Sequence, residues 1–110
     1  RQKMAKLMDE CLRSWLLVPA IVVTEFIKLA GNKIGEEATL MFLKELTTRG
    51  ASVVPIDESI ATEAGKLALR HWNIPIADTL ISATSHVHQA DYIVSDDQHF
   101  IDMKFKTKRF

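Results

Sequence analysis

Trp15-Leu16-Leu17-Val18-Pro19 is a continuous apolar run stopped by a proline. That pattern marks a β-strand buried on both faces and followed at once by a helix, because proline lacks an amide donor and suits a helix start. Reading on toward the C-terminus, the spacing predicts a helix from about Ala20 to Ala30, closed by Gly31-Asn32. A second helix begins near Glu36-Glu37, whose charges favour a helix N-terminus, carries Leu40, Met41, Leu43 and Leu46, and ends at Arg49-Gly50. Ser52 to Ile56 is a β-rich run, and Asp57 is placed to cap a helix over 58–72 with Ile60, Ala61, Ala64, Leu67 and Ala68 inward. Asn73-Ile74-Pro75 breaks that helix. The next is expected over 77–89 with an inner stripe of Leu80, Ile81, Thr84 and Val87, then a strand at Tyr92-Ile93-Val94. From Met103 to Arg109 apolar or neutral residues alternate with lysines, which reads as a last strand at a sheet edge. Toward the N-terminus, Met4, Leu7, Met8, Cys11 and Leu12 form one helical stripe over residues 3 to 13. Strands alternating with helices imply crossover units and a mostly parallel sheet with helices on both faces, an α/β fold in three layers.

Composition bounds the function. The chain has 110 residues, 47% apolar and 25% charged, which is one domain of ordinary size and neither a disordered tail nor a disulfide mini-protein. Fourteen Lys and Arg balance fourteen Asp and Glu, so no overall basic field draws the protein onto nucleic acid and any such contact must be local. The lone Cys11 makes no internal disulfide, and neither a signal peptide nor a membrane span is visible, so the cytoplasm is the expected compartment.

In an open parallel sheet, ligands bind beyond the carboxyl ends of the strands, and there this sequence is acidic. Glu25 lies one to two turns into the helix that follows the first strand, with Ile21, Val22 and Leu29 as its neighbours on an apolar face. An ionised carboxylate buried there without a partner would cost several kcal/mol, so it either reaches the sheet edge or meets a cation; a salt bridge to Lys28 or to the basic C-terminal strand is the plain alternative. Asp78 occupies the first turn of its helix, where capping alone is common. Asp96 and Asp97 follow a strand directly, where acids often serve turn chemistry. Three segments nevertheless deliver carboxylates to one end of a sheet. Carboxylates sharing a crevice raise one another's pKa unless a cation intervenes, and an all-oxygen donor set suits Mg²⁺ or Mn²⁺. Zinc chemistry has little to work with, since His86 and His88 point to different sides of a helix and His71 and His99 stand apart. Neither a glycine-rich phosphate loop nor a nucleophile elbow occurs.

Three stretches, Val22-Val23-Thr24-Glu25-Phe26, Ile76-Ala77-Asp78-Thr79-Leu80-Ile81-Ser82-Ala83-Thr84 and Tyr92-Ile93-Val94-Ser95-Asp96-Asp97-Gln98-His99-Phe100, resemble in order and spacing the PIN domain of the VapC-type toxin ribonucleases. Val54-Pro55-Ile56-Asp57 and Ala64-Gly65-Lys66-Leu67-Ala68 add to the likeness. The resemblance implies a metal-dependent ribonuclease with four acids at its centre. By motif position Glu25, Asp78 and Asp97 are three of them, with Asp96 as the fallback, Ser95 as the hydroxyl that orients the site, and Mg²⁺ or Mn²⁺ as the metal. It also implies homodimers, an RNA substrate and, for a toxin, a small antitoxin partner. Lys104 and Lys106, with Lys108 and Arg109, are placed to grip an RNA backbone or simply to solubilise a sheet edge. A non-catalytic PIN-like module that binds RNA or protein without cleaving is the reading from another class.

The family's first acid belongs to a strand that precedes the helix at 3 to 13, so residues 1–110 read as a single PIN-like domain lacking that strand. The natural protein is therefore expected to extend upstream by one strand and its turn, about 10 to 20 residues, with an apolar run ending in Asp. Intact-mass analysis of protein from the native locus checks this, and a mature chain beginning at Arg1 refutes it.

Overall fold

The computed structural model describes residue 6, residues 16–91, and beyond them 93–94, 100, 102–103 and 105–108. The chain divides into two compact units, Arg1–Pro55 and Ile56–Phe110. Among the described residues no helix is long and apolar enough to cross a membrane. Of the helix expected over residues 3 to 13, Lys6 is helical and the rest lies outside the described residues.

The first unit runs β1 (Leu17–Pro19), α1 (Ala20–Ile34), α2 (Glu36–Thr48) and β2 (Ser52–Val54). β1 and β2 pair in parallel, with Leu17 opposite Ser52 and Pro19 opposite Val54. Parallel neighbours need a long crossover, and the two helices supply it. Pro19 ends the strand and caps α1 at φ −58°, where its missing N–H leaves no donor unsatisfied. The expected stop of α1 at Gly31-Asn32 is overruled: the helix continues to Ile34 and breaks at Gly35, which takes φ +90° and donates its N–H to the Gly31 carbonyl at 2.9 Å. A glycine inside a helix costs only about 1 kcal/mol, so Gly31 weakens α1 without ending it, whereas a left-handed backbone does end it. Gly35 is also the cap of α2, and the Thr39 hydroxyl donates back to its carbonyl at 2.7 Å. The rings of Phe26 and Phe42 meet at 5.4 Å between centroids, packing α1 against α2.

α2 ends in a full Schellman motif. Gly50 at φ +110° donates to the Thr47 carbonyl at 3.1 Å, and Ala51 donates to the Leu46 carbonyl at 3.0 Å. Ala51 is buried, as the apolar contact that usually accompanies this motif requires.

The second unit contains α3 (Glu58–Arg70), α4 (Ile76–Val87), β3 (Ile93–Val94) and β4 (Thr107–Lys108). Asp57 caps α3 as expected, its Oδ1 accepting the Ile60 N–H at 2.9 Å. α3 buries Ile60 completely and Ala64 nearly so, but Ala61, expected inward, is exposed. α3 and α4 pack against each other across the turn that ends at Pro75.

α4 is enclosed on most of its circumference, with Ile76 and His86 as its exposed residues. Its most buried positions are Thr79, Ser82, Ala83 and Thr84, whereas Leu80, Ile81 and Val87 of the expected stripe are half-buried. Small side chains let neighbours approach on several sides, so periodicity of large apolar residues does not find this interior. The Thr79 hydroxyl donates to the Ile76 carbonyl at 2.7 Å and that of Thr84 to the Leu80 carbonyl at 2.8 Å, so both are satisfied within their own helix. The equally buried Ser82 Oγ has no hydrogen-bond partner among the described residues.

α4 ends in a second Schellman motif, in which Gln89 donates to the His86 carbonyl at 3.1 Å and Ala90 to the Ser85 carbonyl at 2.9 Å. Here the left-handed position is held by Gln89 at φ +54°, a conformation that costs a residue with a Cβ roughly 1 kcal/mol relative to glycine.

β3 and β4 pair in parallel, Ile93 opposite Thr107 and Val94 opposite Lys108. The strand expected from Met103 is shorter than alternation suggested. Met103 lies in a turn and is buried with Ile93 and Phe100, against Leu67, Ile74, Ile81 and Phe105. Phe105 and Lys106 are not in a strand, and the pairing with β3 begins at Thr107.

Two outcomes follow for stability. Asp57→Ala removes the cap of α3 and is expected to destabilise by ~1 kcal/mol in denaturant unfolding. Ser82→Ala removes a buried hydroxyl with no hydrogen-bond partner among the described residues and is expected to raise stability by up to ~1 kcal/mol, where Thr84→Val lowers it.

Candidate active site

The elements that carry the expected acids begin alike. α1 and α4 each start at a proline in an extended conformation, Pro19 at ψ 139° and Pro75 at ψ 143°, and neither helix has a side-chain cap. Asp78 is therefore not a capping residue. It sits in the first turn of α4, its N–H donates to the Pro75 carbonyl at 3.0 Å, and its side chain is half-buried.

Glu25 stands in the second turn of α1. Of the two expected outcomes for this carboxylate, exposure or a cationic partner, exposure is found: Glu25 is exposed, Ile21 and Val22 are half-buried, and Leu29 is 65% exposed. The desolvation penalty that would have demanded a partner does not arise, and among the described residues Glu25 and Lys28 form no ion pair. The ion pair seen there is Lys66 with Glu63 at 3.7 Å, one helical turn apart on α3.

Ser95, Asp96, Asp97 and Lys104 lie outside the described residues. Lys106 is exposed, directly before β4, and its carbonyl accepts the Ile93 N–H at 2.8 Å. Among the described residues no group of three or more His, Cys, Asp or Glu side chains is drawn together.

Taken one at a time, the accessible carboxylate of Glu25 and the half-buried one of Asp78 each offer oxygen donors of the kind a hard divalent cation takes, and neither caps a helix. Periodicity did not single out Ser82, which follows Asp78 by one turn and so shares its face of α4. What would have marked it is a small polar residue amid an enclosed helix.

The structure of VapBC2 from Rickettsia felis bound to a DNA fragment from their promoter superposes with a TM-score of 0.80 over 99% of this chain and 86% of that one, at 13% identity. DNA-bound VapBC from Salmonella typhimurium gives a TM-score of 0.75 over 99% and 85%, at 14% identity. At such identities the likeness is one of fold. No curated protein matches the sequence at a significant level. The family model of the PIN domain matches residues 2–106, nearly the whole length of the sequence; with the α/β fold and its parallel strand pairing, this makes the chain a member of the PIN domain family.

Proposed function

We propose that the protein is a metal-dependent endoribonuclease, a single PIN domain acting as the toxin of a toxin–antitoxin pair. The observation that carries the reading is Asp78. The plainest alternative for an aspartate in the first turn of a helix is capping, and α4 has no side-chain cap. Asp78 is thus a half-buried carboxylate in the first turn of a helix whose start is not closed by a side chain, in the motif position where the family has an acid.

In this proposal Glu25, Asp78 and Asp97, with Asp96 as the alternative to Asp97, hold one or two Mg²⁺ or Mn²⁺ ions. When bound, such an ion lowers the pKa of a water and neutralises charge on a phosphodiester. The residues divide the remaining work. Asp78, in the first turn of α4, offers carboxylate oxygens at the start of the helix. Glu25, on the solvent side of α1, is accessible without desolvation. Ser95 orients the loop carboxylate through a hydroxyl hydrogen bond, and Lys104 and Lys106 hold the RNA backbone. The VapBC likeness supports a protein antitoxin as partner, and the protein is taken to work in the cytoplasm as a homodimer.

Asp78→Asn tests the reading. Asparagine keeps the volume and the helix start, so stability is expected to change by less than ~1 kcal/mol. Mg²⁺- or Mn²⁺-dependent cleavage of single-stranded RNA by the protein with its full natural N-terminus is expected to fall by ~10² to 10³. Full cleavage by the variant, or a wild type inert with every metal, overturns the nuclease reading in favour of a PIN-like module that binds RNA or protein without cutting.

A further inference from the structure

The ends of α2 and α4 form a natural comparison within one chain. Both close with the same pair of backbone hydrogen bonds, yet one places Gly50 at the left-handed position and the other Gln89. The apolar contact that accompanies the motif is present beside Gly50, where Ala51 is buried, and missing beside Gln89, where Ala90 is exposed. Packing therefore gives no reason for a strained glutamine at a position where glycine relieves the strain.

The side chain of Gln89 gives one. Together with Ser85, His86, Asp91, Phe105 and Lys106 it lines an open cavity of about 550 Å³, all within the second unit. The lining is mostly exposed and mixes a partly buried ring with neutral donors and acceptors and, among the described residues, one charge of each sign. Lys106 and Asp91 bring opposite charges to it, so its described lining is not that of a general anion trap. It matches a ligand with a flat apolar face, a polar edge and a single negative group. A nucleotide has these parts: Phe105 offers apolar surface to a base, the Gln89 amide presents a donor and an acceptor side by side as base edges require, and Lys106 meets a phosphate.

We propose that this cavity at the C-terminal end of α4 is a subsite for one unpaired ribonucleotide of the substrate, with Gln89 as the residue that contacts the base. The subsite rests on the nuclease reading above and extends it, since Asp78 stands at the opposite, N-terminal end of the same helix. Gln89 is strained because its side chain, and not its backbone, is what the position serves.

The test pairs stability with binding of a short mixed-sequence single-stranded RNA, followed by fluorescence anisotropy in EDTA so that no turnover occurs. Gln89→Gly is expected to raise Tm by about 4 °C and to weaken RNA binding about three- to tenfold. Gln89→Ala keeps the strain and removes the amide, so Tm stays near the wild-type value while binding weakens as much as in the glycine variant. A glycine variant that is stabilised but binds RNA as the wild type does makes this an ordinary helix end and overturns the subsite. A glycine variant with no gain in Tm removes the strain argument and overturns it as well. If the wild type neither binds nor cleaves RNA, the nuclease reading itself falls. That result is distinct from failure of the subsite alone, in which the wild type binds and the Gln89 variants match it.

Discussion

A proline at the start of each acid-bearing helix governs the rest of this structure. Pro19 and Pro75 adopt nearly the same backbone conformation, φ −58° and −57°, and each hands the chain directly into α1 or α4. Because proline has no side-chain acceptor, neither helix start is capped by a polar side chain. Because it has no amide, it presents no unsatisfied donor where strand or turn gives way to helix. The carboxylates that follow, Glu25 and Asp78, are thereby set at defined positions along their helices. α3 shows the other solution: Asp57 closes its N-terminus with a hydrogen bond, and that carboxylate is committed to structure.

Chain punctuation was the most legible part of the fold. Asp57, Gly50 and Pro75 act locally, through one hydrogen bond or one backbone angle, and each performs the role that its residue type suggests. The errors arose where tertiary surroundings decide. Gly31 is a poor helix residue but not a forbidden one, so α1 passed over it and stopped where Gly35 turned left-handed. The interior of α4 escaped because Thr79, Ser82 and Ala83 carry little apolar weight, although they are among its most buried positions. Met103 read as the start of a strand, yet it lies in a turn, buried beside Ile93 and Phe100.

The candidate site divides along the same line. That Glu25 and Asp78 occupy helix positions one or two turns from a proline is visible in the order of residues, because helical spacing is a local property. Whether a carboxylate is covered is not local: Ile21, Val22 and Leu29 put Glu25 on an apolar face, but Leu29 is itself largely exposed and the glutamate with it. The strain at Gln89 was equally hidden, since nothing in the letters 86–90 says which residue takes the left-handed angle until the end of α4 is known.

The corner between α1 and α2 consists of Gly35 alone, with its N–H bonded back to Gly31 and its carbonyl receiving both the amide and the hydroxyl of Thr39. Such a corner has no slack, so the angular phase of α2 about its own axis is set by a residue count. One residue inserted after Gly35 would advance every following position by about 100°. Thr39, now buried, and Phe42, now stacked on Phe26, would rotate away from α1 together. Length at this corner is thus as much a part of the fold's specification as side-chain identity, and substitutions are better tolerated in this helical pair than insertions or deletions.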